Sequence, residues 1–174
     1  MKVIAINTDQ TDELTELARS IYREYYLHLW HPGGAHWYMF EYAYNRSKLE
    51  TELADLNNLH YIVYNTEQQP MGYLKIRIHA MLEGYESKKC MEIERIYLHK
   101  AIAGKGMGKH LLMFCEDIAK VHNKCILFLK AMDTSMDAIG FYQKMGYTIC
   151  GKLTLPFEQM KEEYRGMVML KKEI

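Results

Sequence analysis

At 174 residues and 49% hydrophobic content, the chain carries enough apolar material for one continuous core, and a single domain over 1–174 is expected. Its 22 basic residues balance 22 acidic ones, so no overall field draws nucleic acid or an anionic membrane, and a cationic ligand needs a local acidic site. No run of eighteen apolar residues occurs, and the opening MKVIAINTDQTDE lacks the apolar stretch and cleavage site of a signal peptide, so a cytoplasmic protein is expected.

In chain order, Val3 to Ile6 reads as a first strand. Thr11 is placed to cap a helix whose first turn holds Asp12 and Glu13 and whose buried stripe is Leu14, Leu17, Ile21 and Tyr25. His31-Pro32-Gly33-Gly34 ends that helix. More helical structure comes next, from His36 to Asn45, and Ser47 with Glu50 forms a capping-box pattern ahead of Leu49, Leu53 and Leu56. His60 to Tyr64 and Tyr73 to His79 read as a hairpin, the second strand alternating Leu74, Ile76 and Ile78 with Lys75 and Arg77 on a wet face.

Met91 to Leu98 reads as a strand, Gly106 to His122 as a helix with Met107, Leu111, Phe114 and Ile118 inward, and Cys125 to Leu129 as a strand. That order is a βαβ unit, which makes the two strands parallel with a right-handed crossover. Ser135 is placed to cap a helix ending at Met145, with Gly146 as its stop. Strands at Tyr147 to Leu153 and Gly166 to Leu170 close a mixed sheet. The four cysteines, Cys90, Cys115, Cys125 and Cys150, stand singly, as reduced structural residues do, and thirteen methionines suit irregular core gaps. His28, His31 and His36 match no standard ligand spacing, and no metal is expected.

The segment Ile96 to Lys109, IYLHKAIAGKGMGK, holds the densest chemical signal. Gly104, Gly106 and Gly108 let the backbone approach a ligand, and the helix after them supplies unpaired N–H groups, so this is an anion-binding turn. Two phosphate motifs fail on spacing. A Walker loop would put its first glycine at Ala103 and its serine or threonine at His110, and a dinucleotide fingerprint would put its third glycine at Lys109.

The spacing that fits resembles the pyrophosphate motif of the GNAT N-acetyltransferases, in which glutamine or arginine precedes glycine by three residues and a second glycine or alanine by five. Here it runs Ala103-Gly104-Lys105-Gly106-Met107-Gly108, with Ala103 in place of the usual polar residue, and Lys109 comes directly after. Ser135, Ala138, Phe141, Tyr142, Lys144, Gly146 and Tyr147 are similar to a second motif of the family, with Ser135 where asparagine is common, and Gly72-Tyr73 matches a further habit. Glu92 to Tyr97 and the aromatic N-terminal third look similar to the bacterial polyamine acetyltransferases.

The resemblance implies an α/β fold: a mixed, mostly antiparallel sheet with helices on both faces and parallel fourth and fifth strands splayed around acetyl-CoA. It implies an acetyl-CoA-dependent N-acetyltransferase in which the main chain of Ile96, Tyr97 and Leu98 holds the pantetheine arm and residues 103–109 hold the pyrophosphate. It further implies that Ser135, Ala138, Phe141, Tyr142 and Lys144 flank the coenzyme and that Tyr142 protonates the departing sulfur. The expected partner is a small-molecule amine, preferably a polyamine, taken up by a monomer or homodimer. A protein N-terminus or lysine is the alternative acceptor, and a non-catalytic acyl-CoA sensor the alternative function.

Amine acetylation needs a neutral nucleophile, a polarised carbonyl and a proton for the thiolate. Two-residue alternation puts Glu94 on the face of Ile96, which suits a general base, with Glu92 beside it as an anchor unless a bulge intervenes; both facing solvent is the alternative. Tyr26, Trp30, Trp37 and Tyr38 belong to an aromatic-rich stretch from Tyr22 to Tyr44 that suits one wall of an alkylammonium site, although most such rings pack in a core.

Overall fold

The computed structural model describes residues 2–174. Seven strands form one sheet in the order β1-β2-β3-β4-β5-β7-β6: β1 (Lys2–Ala5), β2 (Asn58–Tyr64), β3 (Pro70–Arg77), β4 (Cys90–Leu98), β5 (Ile126–Met132), β6 (Thr148–Thr154) and β7 (Gly166–Glu173). Every pairing is antiparallel except that of β4 with β5. The expected mixed sheet and parallel βαβ unit are present.

One face carries α1 (Thr11–Tyr25), α2 (Gly34–Trp37) with a π-helical turn at Tyr38–Tyr42, and α3 (Arg46–Ala54). Leu14, Leu17, Ile21 and Tyr22 of α1 bury there against Leu49, Ile62 and Tyr73. The other face carries α4 (Met107–Val121) and α5 (Met136–Lys144), whose Leu112, Cys115 and Ile139 bury against Leu74, Met91, Leu127 and Leu170. Apolar stripes at helical spacing on α1 and α4 account for most of the two layers.

Several caps differ from expectation. Asn7, not Thr11, begins the first helical region: its Oδ1 accepts from the Asp9 N–H at 2.7 Å and its own N–H donates to Gln10 Oε1 at 3.0 Å. This capping box starts a short 3-10 turn that runs directly into α1, so Thr11 is already helical. Asn45, not Ser47, caps α3 through the Lys48 N–H. Ser135 precedes α5 without a side-chain cap bond. The expected wet face of β3 is not wet at its centre, since Lys75 is buried among carboxylates.

Two features of β4 shape the centre of the molecule. Lys75 pairs with Arg95 and Ile76 with Ile93, so Glu94 is an extra residue, a bulge. Glu92, Glu94 and Arg95 therefore point to the α1/α3 face, while Ile93 and Ile96 pack on the α4 side. In addition, β4 and β5 pair only from Cys90/Ile126 to Ile93/Leu129 and then separate. Glu94 to Leu98 thus face an opening instead of a neighbouring strand.

Candidate active site

A cleft of about 460 Å³ occupies the split between β4 and β5. Its floor comes from Glu92 to Tyr97 on β4 and Leu129 to Met132 on β5, and Ser135, Ala138 and Tyr142 of α5 close one side. Tyr22, Tyr26, Tyr38 and Tyr42 form the opposite wall, with Phe157 and Met160 from the β6–β7 connection.

Past the splayed end of β4 the chain turns through residues 99–106 into α4. Gly104 and Gly106 sit at φ +75° and +80°, left-handed values that glycine adopts without strain, and a Cβ at either would meet open space. Ala103 N–H still bonds back to His99 and Lys100, and His110 N–H bonds to Gly106. Between them, the N–H groups from Gly104 to Lys109 have no protein acceptor among the described residues. Six consecutive free donors at the start of a fifteen-residue helix form a concentrated anion site. Glu24 of α1 anchors its entry, accepting from the Lys100 N–H and contacting His99 Nδ1, each at 2.8 Å.

Gly108 lies against the Phe141 ring, where a Cβ would come within 3.2 Å of Cζ. Phe141 thus seats α5 on the first turn of α4, and Lys144 is exposed at the far end of α5. Neither residue lines the cleft, whereas Ser135, Ala138 and Tyr142 do. Gly72 is equally constrained: a Cβ there would stand 2.7 Å from the Tyr97 carbonyl oxygen and 2.5 Å from Leu98 Cδ2. Only glycine lets β3 sit this close to the cleft strand.

The Tyr142 hydroxyl forms no hydrogen bond to a described residue. Burial, reinforced by Tyr97, pushes its phenol well above the usual range, so it stays protonated and able to donate.

Glu94 and Ile96 do not share a face, contrary to the alternation expected, because the bulge at Glu94 reverses the parity of the strand. Glu94 stands instead with Glu92, and neither is free. Lys75 Nζ donates to Glu94 Oε1 at 2.8 Å, with Arg95 and Arg77 at 3.6 and 3.7 Å. Glu92, only 3% exposed, holds Lys130 at 2.7 Å and Arg77 at 3.3 Å. Glu52 of α3, absent from the residues singled out by sequence, binds Arg95 at 2.8 Å and Lys75 at 3.0 Å. Although burial opposes it, Arg95 and then Lys75 hold the Glu52 carboxyl below the usual carboxylate range.

Of the aromatic wall, Tyr26 and Tyr38 line the cleft but Trp30 and Trp37 do not. Trp30 is buried behind the wall, its Nε1 donating to the Tyr22 hydroxyl at 2.8 Å. Trp37 stacks on Tyr42 at 5.0 Å between ring centres and lines a shallower recess with Tyr42 and Phe157. Tyr22, Tyr42, Lys48 and Glu52 take their places in the cleft, and apart from the two tyrosines' membership of the aromatic stretch they carry no sequence signal.

Among the described residues no group of three or more histidines, cysteines or carboxylates could hold a metal, and no helix is long and apolar enough to cross a membrane. The parallel pair that splits, the free-donor turn beyond it and the cleft between two helical layers define a class, the acyl-transfer folds that thread a long donor between strands. The model of the acetyltransferase (GNAT) family matches residues 13–147, and the chain belongs to that family.

An uncharacterised N-acetyltransferase from the pepI 3′ region of Lactobacillus delbrueckii subsp. lactis is 31% identical over 108 residues, 62% of each chain. The chain thus spans 62% of the length of that curated relative. Among solved structures, the PaiA N-acetyltransferase of Thermoplasma acidophilum, in complex with coenzyme A, superposes with TM-score 0.75 at 19% identity over all of both chains. The ribosomal-protein-alanine N-acetyltransferase of Brucella melitensis gives 0.72 at 17% over all of both chains. A point mutant of the spermidine N-acetyltransferase SpeG of Vibrio cholerae gives 0.70 at 14%, over 99% of this chain and 92% of its own. At these identities the likeness is one of fold.

Proposed function

We propose that the chain is an acetyl-CoA-dependent N-acetyltransferase that moves acetyl directly to a primary amine seated in the β4–β5 cleft. The observation that carries this reading is the run of free N–H donors from Gly104 to Lys109, in the turn that follows the splayed end of β4. A pyrophosphate fits the first, and an extended pantetheine arm fits the second, where it takes the place of a missing strand. The coenzyme A complex of the PaiA fold relative supports the same donor.

Acetyl-CoA supplies an activated acyl group. The residues then have three tasks. The main chain of Ile96 to Leu98 aligns the arm and polarises the thioester carbonyl. Glu94 takes the proton of the incoming ammonium, directly or through water, at the cost of one of its contacts to Lys75 or Arg77. Tyr142 gives its proton to the sulfur as the carbon–sulfur bond breaks, and the proton that the nitrogen sheds as the amide forms restores the phenol.

Isothermal titration calorimetry with acetyl-CoA, followed by thiol release across amines, tests the reading. Micromolar binding weakened by Gly106→Val, together with amine-dependent thiol release, is expected. Tight binding without turnover on any amine would leave a sensor, and no binding would remove the donor assignment.

A further inference from the structure

The charges inside the cleft bear on the acceptor. A polycation would need carboxylates to receive it, yet Glu52, Glu92 and Glu94 are each held by at least two cations of the protein. Lys75, Arg77, Arg95 and Lys130 supply those contacts, so three negative charges already meet four positive ones. Lys48 adds a fifth. It projects from α3 into the cleft, half-buried, and forms no ion pair among the described residues; its Nζ lies 4.3 Å from the centre of the Tyr42 ring.

Part of the aromatic wall is already engaged within the protein. The Tyr42 ring has Lys48 over one face and stacks on Trp37 at 5.0 Å. Tyr22 and Tyr38 are stacked on each other at 4.9 Å. An added positive charge in the cleft would meet carboxylates already neutralised by cations, two of them, Lys75 and Arg77, standing behind the lining, with Lys48 and Lys130 close by, which is unfavourable at short range. A negative one would find Lys48 unpartnered.

We infer that the acceptor is a small amine that also carries a carboxylate, bound with its acid group on Lys48 and its amine toward Glu94, and that polyamines are poor acceptors. This rests on the acetyl-transfer reading. It deepens that reading by naming the acceptor class and replaces the polyamine preference drawn from sequence. Lys48 then sets specificity and takes no part in the chemistry. An ion pair formed in such a cleft discriminates by about ten-fold or more against the uncharged analogue.

The test compares 6-aminohexanoate, hexylamine and 1,6-diaminohexane, which present the same amine on the same chain with a negative, neutral or positive far end. Thiol release gives kcat/KM for each with the wild type, Lys48→Met and Lys48→Glu, and calorimetry measures acetyl-CoA binding separately. The expected order is aminohexanoate, hexylamine, diaminohexane, with about ten-fold at the first step. In Lys48→Met that step collapses through KM with kcat unchanged, and in Lys48→Glu the order inverts. A wild type that prefers the diamine, or that turns over none of the three while binding acetyl-CoA, overturns the acceptor assignment and leaves the donor site standing. An unchanged order in Lys48→Met overturns it as well. Failure to bind acetyl-CoA instead removes the donor reading, and the acceptor assignment with it.

Discussion

Removal of the Tyr142 hydroxyl separates catalysis from folding, because Tyr142 lines the cleft and its oxygen makes no hydrogen bond to a described residue. In Tyr142→Phe the ring keeps its packing beside Phe141 and Tyr147, 5.4 and 6.1 Å away, so stability should move by no more than about 0.5 kcal/mol. The sulfur, by contrast, loses its only proposed proton donor. General acid assistance at a thiolate justifies a fall in kcat of about ten- to a hundred-fold, on the order of 1.4 to 2.7 kcal/mol of barrier. The assay is thiol release at saturating acetyl-CoA, run beside calorimetric binding of the donor and a thermal melt. A kcat within two-fold of wild type would refute the role. A comparable loss of donor affinity or melting temperature would do the same, because it would mark Tyr142 as packing.

The companion residue Tyr147 should behave oppositely: its hydroxyl is buried without a partner among the described residues, so Tyr147→Phe should stabilise the fold by about 1 kcal/mol in urea unfolding with activity unchanged. Gly72→Ala should cost about 1 to 3 kcal/mol, since the new methyl overlaps the Tyr97 carbonyl and Leu98, and acetyl-CoA binding should weaken with it as the β4 edge shifts. Gly104→Ala and Gly106→Ala meet no atoms but force a left-handed alanine, a strain of about 1 kcal/mol each that should appear as lost stability in urea unfolding. His60 is held neutral in the fold, from an ordinary 6.5 down to about 4, by burial and then by Lys75. Protons therefore bind the unfolded chain first as pH falls, so the stability this histidine contributes is full above about 6.5 and drains toward pH 4. Its size is on the order of 3 kcal/mol, and urea midpoints of His60→Gln should lack that slope.

Much of this is legible in the sequence, and the reason differs by element. The glycines at 104, 106 and 108 encode local geometry, so spacing alone places them, and every expected strand forms within a few residues of its expected bounds. The α4 stripe is rotated from expectation, with Met107 and Leu111 buried as expected but Leu112, Cys115 and Ala119 taking the core and Phe114 and Ile118 half-buried. The helix starts are less legible: Asn7 caps a short 3-10 turn ahead of α1 and Asn45 caps α3 directly, two residues before the expected Ser47, details that apolar periodicity does not carry. The face of Glu94 is illegible because a bulge leaves no mark on alternation until the partner strand is known. Composition assigns Trp30 to the wall, but its indole N–H finds the Tyr22 hydroxyl and the ring goes into the core. Lys48 and Glu52 reach the cleft through the packing of α3 on the sheet, where Glu52 meets Lys75 and Arg95 from segments distant in sequence.

The extra residue at Glu94 makes β4 a strand written in two phases. Up to Ile93 every second residue faces α3, and beyond Arg95 the frame has slipped by one, so the same two-residue rule sends Tyr97 toward the α1 side and Ile96 toward α4. Substitutions can retune either stretch independently, but a single-residue deletion there would exchange the oily and the wet side chains of the whole downstream half. Length at this position is thus as much a determinant of the cleft as any side chain in it, and homologues aligned through this strand should tolerate many replacements and almost no gaps.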